Sequence, residues 1–284
     1  MVWRVRNALL SIAAGMLAAC ASAPQTTHAP PAAPRDAATA SAIEQLLAGP
    51  HRSAENRARD VWRHPLDTLL FFGIKPDMTV VEIWPGADGW YTEVLAPLLA
   101  AQGKLYAAQV APAAGNAFVT ANLATFAAKL AARPDIYGKV TVTALGPGAD
   151  DVAPPGSADM VVTFRNLHNW MNLGYANQAF AAMYKALKPG GILGVVEHRG
   201  DPAKPQDPRA TTGYVNEDFA IRLIEGAGFV LVARSQINAN PKDTKDYEQG
   251  VWTLPPSYRL GERDRAKYQA IGESDRFTLK FRKP

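Results

Sequence analysis

A buried strand that runs into a glycine-bearing turn and then an amphipathic helix admits only a few α/β folds, and residues 79–99 have this pattern. Thr79 to Ile83 reads as a strand, with Glu82 as its one charged member. Trp84-Pro85-Gly86-Ala87-Asp88-Gly89 then forms a tight loop, after which Val94, Leu95, Leu98 and Leu99 share one helical face. Such a corner points the free N–H groups of a helix N-terminus at a ligand. Glycine supplies the left-handed backbone that a close approach requires.

Two ligand classes use this kind of corner. Dinucleotides set a pyrophosphate on the helix and usually want G-x-G-x-x-G, which this loop lacks. S-adenosylmethionine (SAM) has no phosphate and carries a sulfonium and an ammonium. Glu82 and Asp88 would repel a pyrophosphate by about 1–4 kcal/mol at about 4 Å, and they suit a cation. The pattern therefore favours SAM over a nicotinamide cofactor, with Glu82, Trp84, Gly86, Ala87, Asp88 and Gly89 as contacts.

Strands and helices alternate through the rest of the chain. Helices are expected over Ile43–Leu47, Arg57–Trp62 and Leu66–Phe72 before the first strand. Later strands are expected at Leu105–Val110, Val140–Leu145, Ala158–Phe164, Ile192–Glu197, Val230–Gln236 and Arg276–Phe281. Helices fall at Ala121–Ala132, Ala176–Leu187 and Glu217–Glu225, the last with Asn216 as its cap. Lys188-Pro189-Gly190-Gly191 reads as a turn that stops the helix before it.

Ligands in open α/β sheets lie beyond the carboxyl ends of the strands. Arg165-Asn166-Leu167-His168-Asn169-Trp170 follows one such end. Asn166 is expected to bond the amino-acid end of SAM, His168 to act as a general base, and Trp170 to stack on substrate or adenine. Glu197-His198-Arg199 follows another end. It reads either as a site that binds a polar substrate and passes a proton, or as an ion pair capping the strand. The insertion Asn238–Leu260 brings Trp252, Pro255, Pro256 and Tyr258, which either wall the substrate pocket or cover the sheet.

The N-terminus carries an address. Arg4 and Arg6 precede a short apolar run that ends in Leu17-Ala18-Ala19-Cys20, too short to span a membrane. The run resembles a lipoprotein signal over residues 1–19, which implies cleavage before Cys20 and lipidation there. Ala21 after it resembles lipoproteins sorted to the outer membrane. Residues 20–42, rich in Ala, Pro, Ser and Thr, read as a flexible tether, and 43–284 as one α/β domain. Cys20 is the single cysteine, so no intramolecular disulfide or thiolate metal site forms, and no metal is expected. The net charge of +4 falls to +2 without Arg4 and Arg6, and no basic run with interleaved aromatics suggests nucleic acid.

With these pieces the chain resembles the class I SAM-dependent methyltransferases, and more closely a bacterial exported predicted-methyltransferase family. The matching stretches are Arg63-His64-Pro65 with Phe71-Phe72-Gly73, Glu82 to Gly86, Phe164 to Trp170, Leu187 to Gly191, Asn238 to Asp243, and Gly272-Glu273-Ser274-Asp275-Arg276. The resemblance implies a Rossmann-like, seven-stranded, mostly parallel sheet with one reversed strand, and SAM at the corner. It also assigns Gln109, at the end of the second strand, to the ribose hydroxyls, where an acid is common. Trp84 stands where the first glycine of the loop is usual, and Asp88 where the third often stands.

The activity expected is methyl transfer to a small-molecule acceptor. His168, Glu197 and His198 would handle protons, and Trp170, Arg199 and Trp252 would bind substrate. SAM is made in the cytosol, whereas the signal points to the periplasmic side of the envelope. That sustains a second expectation: a non-catalytic exported lipoprotein that reuses the fold for another ligand or partner.

Overall fold

The structure, a computed structural model, describes residues 1–2, 36–113 and 116–284, and the fold lies in the unit Arg35–Pro284. Residues 3–19 of the expected signal segment and Cys20 lie outside the described residues. Seven strands form one sheet: β1 (Thr79–Ile83), β2 (Lys104–Val110), β3 (Thr141–Leu145), β4 (Ala158–Phe164), β5 (Leu187–His198), β6 (Val230–Ser235) and β7 (Arg276–Arg282). Their order is β3-β2-β1-β4-β5-β7-β6. Strands β1 to β5 pair in parallel, and β7 runs antiparallel to both its neighbours. This is the mostly parallel sheet with one reversed strand that the resemblance to class I methyltransferases implies.

The helices, in order, are α1 (Ala37–Leu47), α2 (Ala54–Arg57), α3 (Asp60–Arg63), α4 (Pro65–Phe72), α5 (Thr92–Leu99) and α6 (Ala117–Ala132). There follow α7 (Pro134–Tyr137), α8 (Leu167–Asn172), α9 (Ala176–Ala186), α10 (Glu217–Gly226) and α11 (Arg265–Ile271). Strand parity divides the core. Val81, Ile83, Val161 and Val195 pack with Trp170, Phe180, Met183 and Ile224 from α8, α9 and α10. Val80, Met160, Val162 and Val196 pack on the other face with Ile43, Leu69, Val94 and Leu98 from α1, α4 and α5. Burial on both faces explains why the central strands read as continuous apolar runs.

Four local expectations change. Helix α1 starts at Ala37, inside the stretch read as tether, because the Asp36 carboxylate accepts from the N–H groups of Ala38 and Thr39. The helix expected over Arg57–Trp62 is two short ones, α2 and α3, and the left-handed His64 at φ 39° then turns the chain into α4. Lys188–Gly191 is no separate turn: it is the bulged start of β5, where the Gly190 N–H donates to the Lys283 carbonyl at 2.8 Å. Asn216 does not cap α10, since its side chain donates instead to the Lys204 carbonyl. Glu217 and Asp218 in the first turn of α10 complement the helix dipole there.

Candidate active site

Beyond the carboxyl ends of β1, β2 and β4 lies a cavity of about 350 Å³, lined by Trp84, Gly86, Gln109, Phe118, Asn166 and Asn169 among others. The sheet order reverses at β1, the crevice where open α/β sheets take ligands. Four expected contacts meet here. Gly86 is left-handed at φ 76°, and a Cβ built on it meets nothing within 4 Å. Its carbonyl accepts from Gln109 Nε2 at 3.0 Å. Trp84 is also left-handed, at φ 48°, and donates its indole N–H to the Leu145 carbonyl at 2.9 Å. Asn166 Nδ2 donates to the Ile83 carbonyl (2.9 Å) and to Thr163 Oγ1 (3.1 Å), tying β1 to β4 at the rim.

The loop acids do not face this cavity. Glu82 has the parity of Val80, so it points under α5, where it is 2 % exposed and accepts from Thr92 Oγ1 at 2.6 Å. Asp88 is exposed, and Lys129 Nζ donates to its backbone carbonyl. Ala87 is absent from the lining. Gly89 is a packing glycine, because a Cβ there would lie 2.8 Å from the Phe126 ring and 2.9 Å from Thr92 Oγ1. No lining residue carries a formal charge, so the electrostatic complement expected from Glu82 and Asp88 is not supplied.

Burial pushes the Glu82 carboxyl up to about 7, against the pull of Thr92 and Lys129. Its ordinary value is 4.5. Between pH 4.5 and 7 the folded chain keeps a proton that the unfolded chain has released. This group's contribution to stability therefore falls as pH rises through that window and is flat above it. The full difference is on the order of 3 kcal/mol. Urea unfolding is expected to show wild type losing about that much relative to Glu82→Gln between pH 4.5 and 8. Parallel pH profiles for the two proteins would contradict the assignment.

A second polar group lies at the ends of β4 and β5. Glu197 has the parity of Val195, which sets it against α8, fully buried. Glu197 Oε1 lies 3.0 Å from His168 Nδ1 and accepts from the His198 N–H at 2.8 Å, while Oε2 accepts from the His168 N–H at 3.2 Å. A carboxylate only accepts, so Nδ1 carries the imidazole proton and Nε2 keeps the lone pair. The His198 ring centroid lies 5.2 Å from that of His168, and its Nδ1 pairs with Ser274 Oγ at 2.5 Å. Burial, with help from the neighbouring charges, holds His198 well below its usual value and so neutral. One atom each from His168, Glu197 and His198 lies within 4.8 Å of the others, a spacing that an ion can bridge. The Glu197 oxygens already hold three hydrogen bonds, which an ion would have to displace.

The expected substrate residues separate. Trp252 stays at the site, its ring 5.8 Å from His168 and under the Arg259 guanidinium. Arg199 turns away, bonding Gln236 at 2.7 Å and pairing with Glu217 at 3.3 Å on the wall of another cavity. Trp170 is fully buried between Trp84 and Phe180, which leaves no part of its ring open to solvent. Sequence reasoning gave no role to Ser274, nor to Arg59, Arg63, Arg165, Glu273 and Arg276, which gather beside His198. The available signal was position: Arg165 follows β4 directly, and residues 273–276 lead into β7.

No protein-family model matches the chain, and neither does the sequence of any curated protein. Solved structures do match in fold. A SAM-dependent methyltransferase from Aquifex aeolicus superposes with a TM-score of 0.52 at 16 % identity, over 86 % of this chain and 98 % of the other. Geranyl diphosphate C-methyltransferase from Streptomyces coelicolor A3(2), solved with Mg2+, geranyl diphosphate and S-adenosylhomocysteine, gives 0.53 at 13 %, over 84 % and 87 %. The [4+2]-cyclase SpnF gives 0.50 at 16 %, over 87 % and 93 %. The chain thus has the Rossmann-like fold of the class I methyltransferases.

Proposed function

We propose that the chain is a SAM-dependent methyltransferase of the exported predicted-methyltransferase type, acting on a small-molecule acceptor. The observation that carries this reading is the cavity at the β1 switch point. Trp84, Gly86, Gln109 and Asn166 line it, and in the chain Asn166 and Asn169 of that lining flank His168, which pairs with Glu197. Its volume is within the range of small-molecule sites. The open space over Gly86 admits a ligand against the backbone, Phe118, Val119 and Leu173 offer apolar surface, and Gln109 and Asn166 offer amides. These residues fit a nucleoside with an amino-acid tail. When bound, SAM supplies an electrophilic methyl group. The chain positions the acceptor and excludes water. Glu197 fixes the His168 tautomer, which leaves Nε2 to take the proton of an acceptor hydroxyl.

A reused, non-catalytic fold is the second reading. The uncharged lining favours it, and the match to a [4+2]-cyclase supports the view that this fold is not tied to methyl transfer. Calorimetric titration of the full chain with SAM and with its demethylated product separates the two. Micromolar binding is expected. Gly86→Leu is expected to remove it while the far-UV circular dichroism of the folded variant stays unchanged: the added side chain enters open space, and the left-handed backbone adds about 1–3 kcal/mol of strain, which lowers the melting temperature without unfolding the domain. A folded wild-type sample that binds neither compound would point to the reused fold.

The export signal makes the location part of the same proposal: lipidation at Cys20 holds the domain on the periplasmic side of the envelope, at the outer membrane. Cys20→Ser is expected to abolish incorporation of labelled lipid. Normal labelling of that variant would refute the anchor.

A further inference from the structure

Four of the stretches that stand out in the sequence meet at one place. Arg63 comes from the first, Arg165 from the one after β4, and Glu273 and Arg276 from the one before β7. Asn240, from the fourth, donates to the Glu273 carbonyl at 2.7 Å. Glu273 is buried and receives three guanidinium groups: Arg59 at 2.7 Å, Arg276 at 2.9 Å and Arg63 at 3.2 Å. Burial alone would raise its carboxyl, but those charges overcome it and hold the group well below the usual carboxylate range. A fourth guanidinium, Arg165, lies within electrostatic reach of Arg63, Tyr91, His198 and Glu273. Its backbone N–H donates to the Val196 carbonyl at 2.7 Å, but among the described residues its guanidinium makes no ion pair or hydrogen bond.

Three cations thus touch one carboxylate, and a fourth lies within electrostatic reach of it. The other acids nearby are matched elsewhere: Asp275 with Arg199 and Lys245, Asp60 and Glu93 with Arg52, and Glu197 with His168. Arginine does not shed its proton to relieve the surplus, and an unmatched charge drawn partly out of water, as at the half-buried Arg165, carries part of the desolvation cost of a buried one. An internal network serving stability alone would end with its charges balanced. This one ends on Arg165, whose backbone is left-handed at φ 62° and which immediately precedes the cavity residue Asn166.

We propose that Arg165, with Arg63 and Arg276 behind it, docks an oxyanion group carried by the acceptor, a carboxylate or a phosphate, and so sets the reacting atom beside His168. Guanidinium forks match both anions in geometry. The role of the anion as part of an acceptor rests on the methyl-transfer reading. The anion site itself does not.

Thermal unfolding of the full chain at constant ionic strength tests it, with sodium chloride replaced by inorganic phosphate or by acetate. At about ten times its dissociation constant, the bound anion is expected to raise the melting temperature by about 3 °C. A larger response to phosphate assigns a phosphorylated acceptor, and a larger response to acetate a carboxylic one. Arg165→Gln is expected to lose the response and to melt no lower than wild type in chloride, because it removes an unmatched cation. Arg165→Lys keeps the charge without the fork and is expected to bind at least tenfold more weakly than wild type. No shift in wild type with either anion, or a full shift in Arg165→Gln, would overturn the site. An anion response in a protein that binds no SAM would leave the site standing and remove the methyl-transfer reading.

Discussion

Replacing Glu197 with alanine is expected to cost about 3–5 kcal/mol of stability and, under the proposed methyl-transfer function, to lower the rate roughly 10²- to 10⁴-fold. The size follows from what the carboxylate holds. Its two oxygens serve the buried N–H and imidazole N–H of His168 and the part-buried N–H of His198. Each buried donor left without an acceptor costs about 1–3 kcal/mol. Glu197→Gln separates the two effects. An amide keeps the shape and one acceptor oxygen, so most of the stability should return. The charge that fixes the His168 tautomer does not return, so the rate should stay low. Chemical denaturation and a single-turnover transfer assay on both variants check this. If Glu197→Gln recovers rate and stability together, the carboxylate is only packing, and the dyad has no part in proton transfer.

The sheet was legible in the sequence because burial on both faces writes each central strand as an apolar run bounded by turn residues. β4 is expected and found at Ala158–Phe164, and β1 at Thr79–Ile83. The corner at Gly86 was equally legible, since a left-handed loop beside a ligand asks for glycine. Direction was not legible. Glu82 sits in the right strand, yet the period of two turns it under α5 toward Thr92 and away from the cavity. Gly89 looked like a second ligand glycine, but Phe126 and Thr92 press against it. The arginine cluster was hidden for a different reason. Arg63, Arg165 and Arg276 are spread over more than 200 positions, and only the docking of α3, the end of β4 and the start of β7 brings them to Glu273.

Trp170→Ala is expected to lower stability by about 3–5 kcal/mol, on the order of 10 °C in melting temperature, and to act through the fold. As a loop residue after β4, Trp170 would be free to reach substrate. The segment is instead the helix α8, and Leu167, Trp170 and Met171 occur at the spacing of one helical face, which packs on the sheet. His168 is two positions before Trp170, so the two side chains leave the helix in nearly opposite directions. His168 turns to Glu197, while Trp170 fills the space between Trp84 and Phe180 with ring centroids 5.8 and 5.7 Å away. Its indole N–H has no partner there. Trp170→Phe gives up some volume but also removes that orphaned donor, whose burial costs about 1–3 kcal/mol, so it should be far better tolerated than alanine. Thermal melts of both variants, with SAM titration of each, decide the matter. A stacking role predicts lost ligand affinity at an unchanged melting temperature, whereas a core role predicts the alanine variant melting far below the phenylalanine one. Trp84, in van der Waals reach of Trp170, also lines the cavity, so weaker SAM binding in Trp170→Ala should track the loss of stability and be absent in Trp170→Phe.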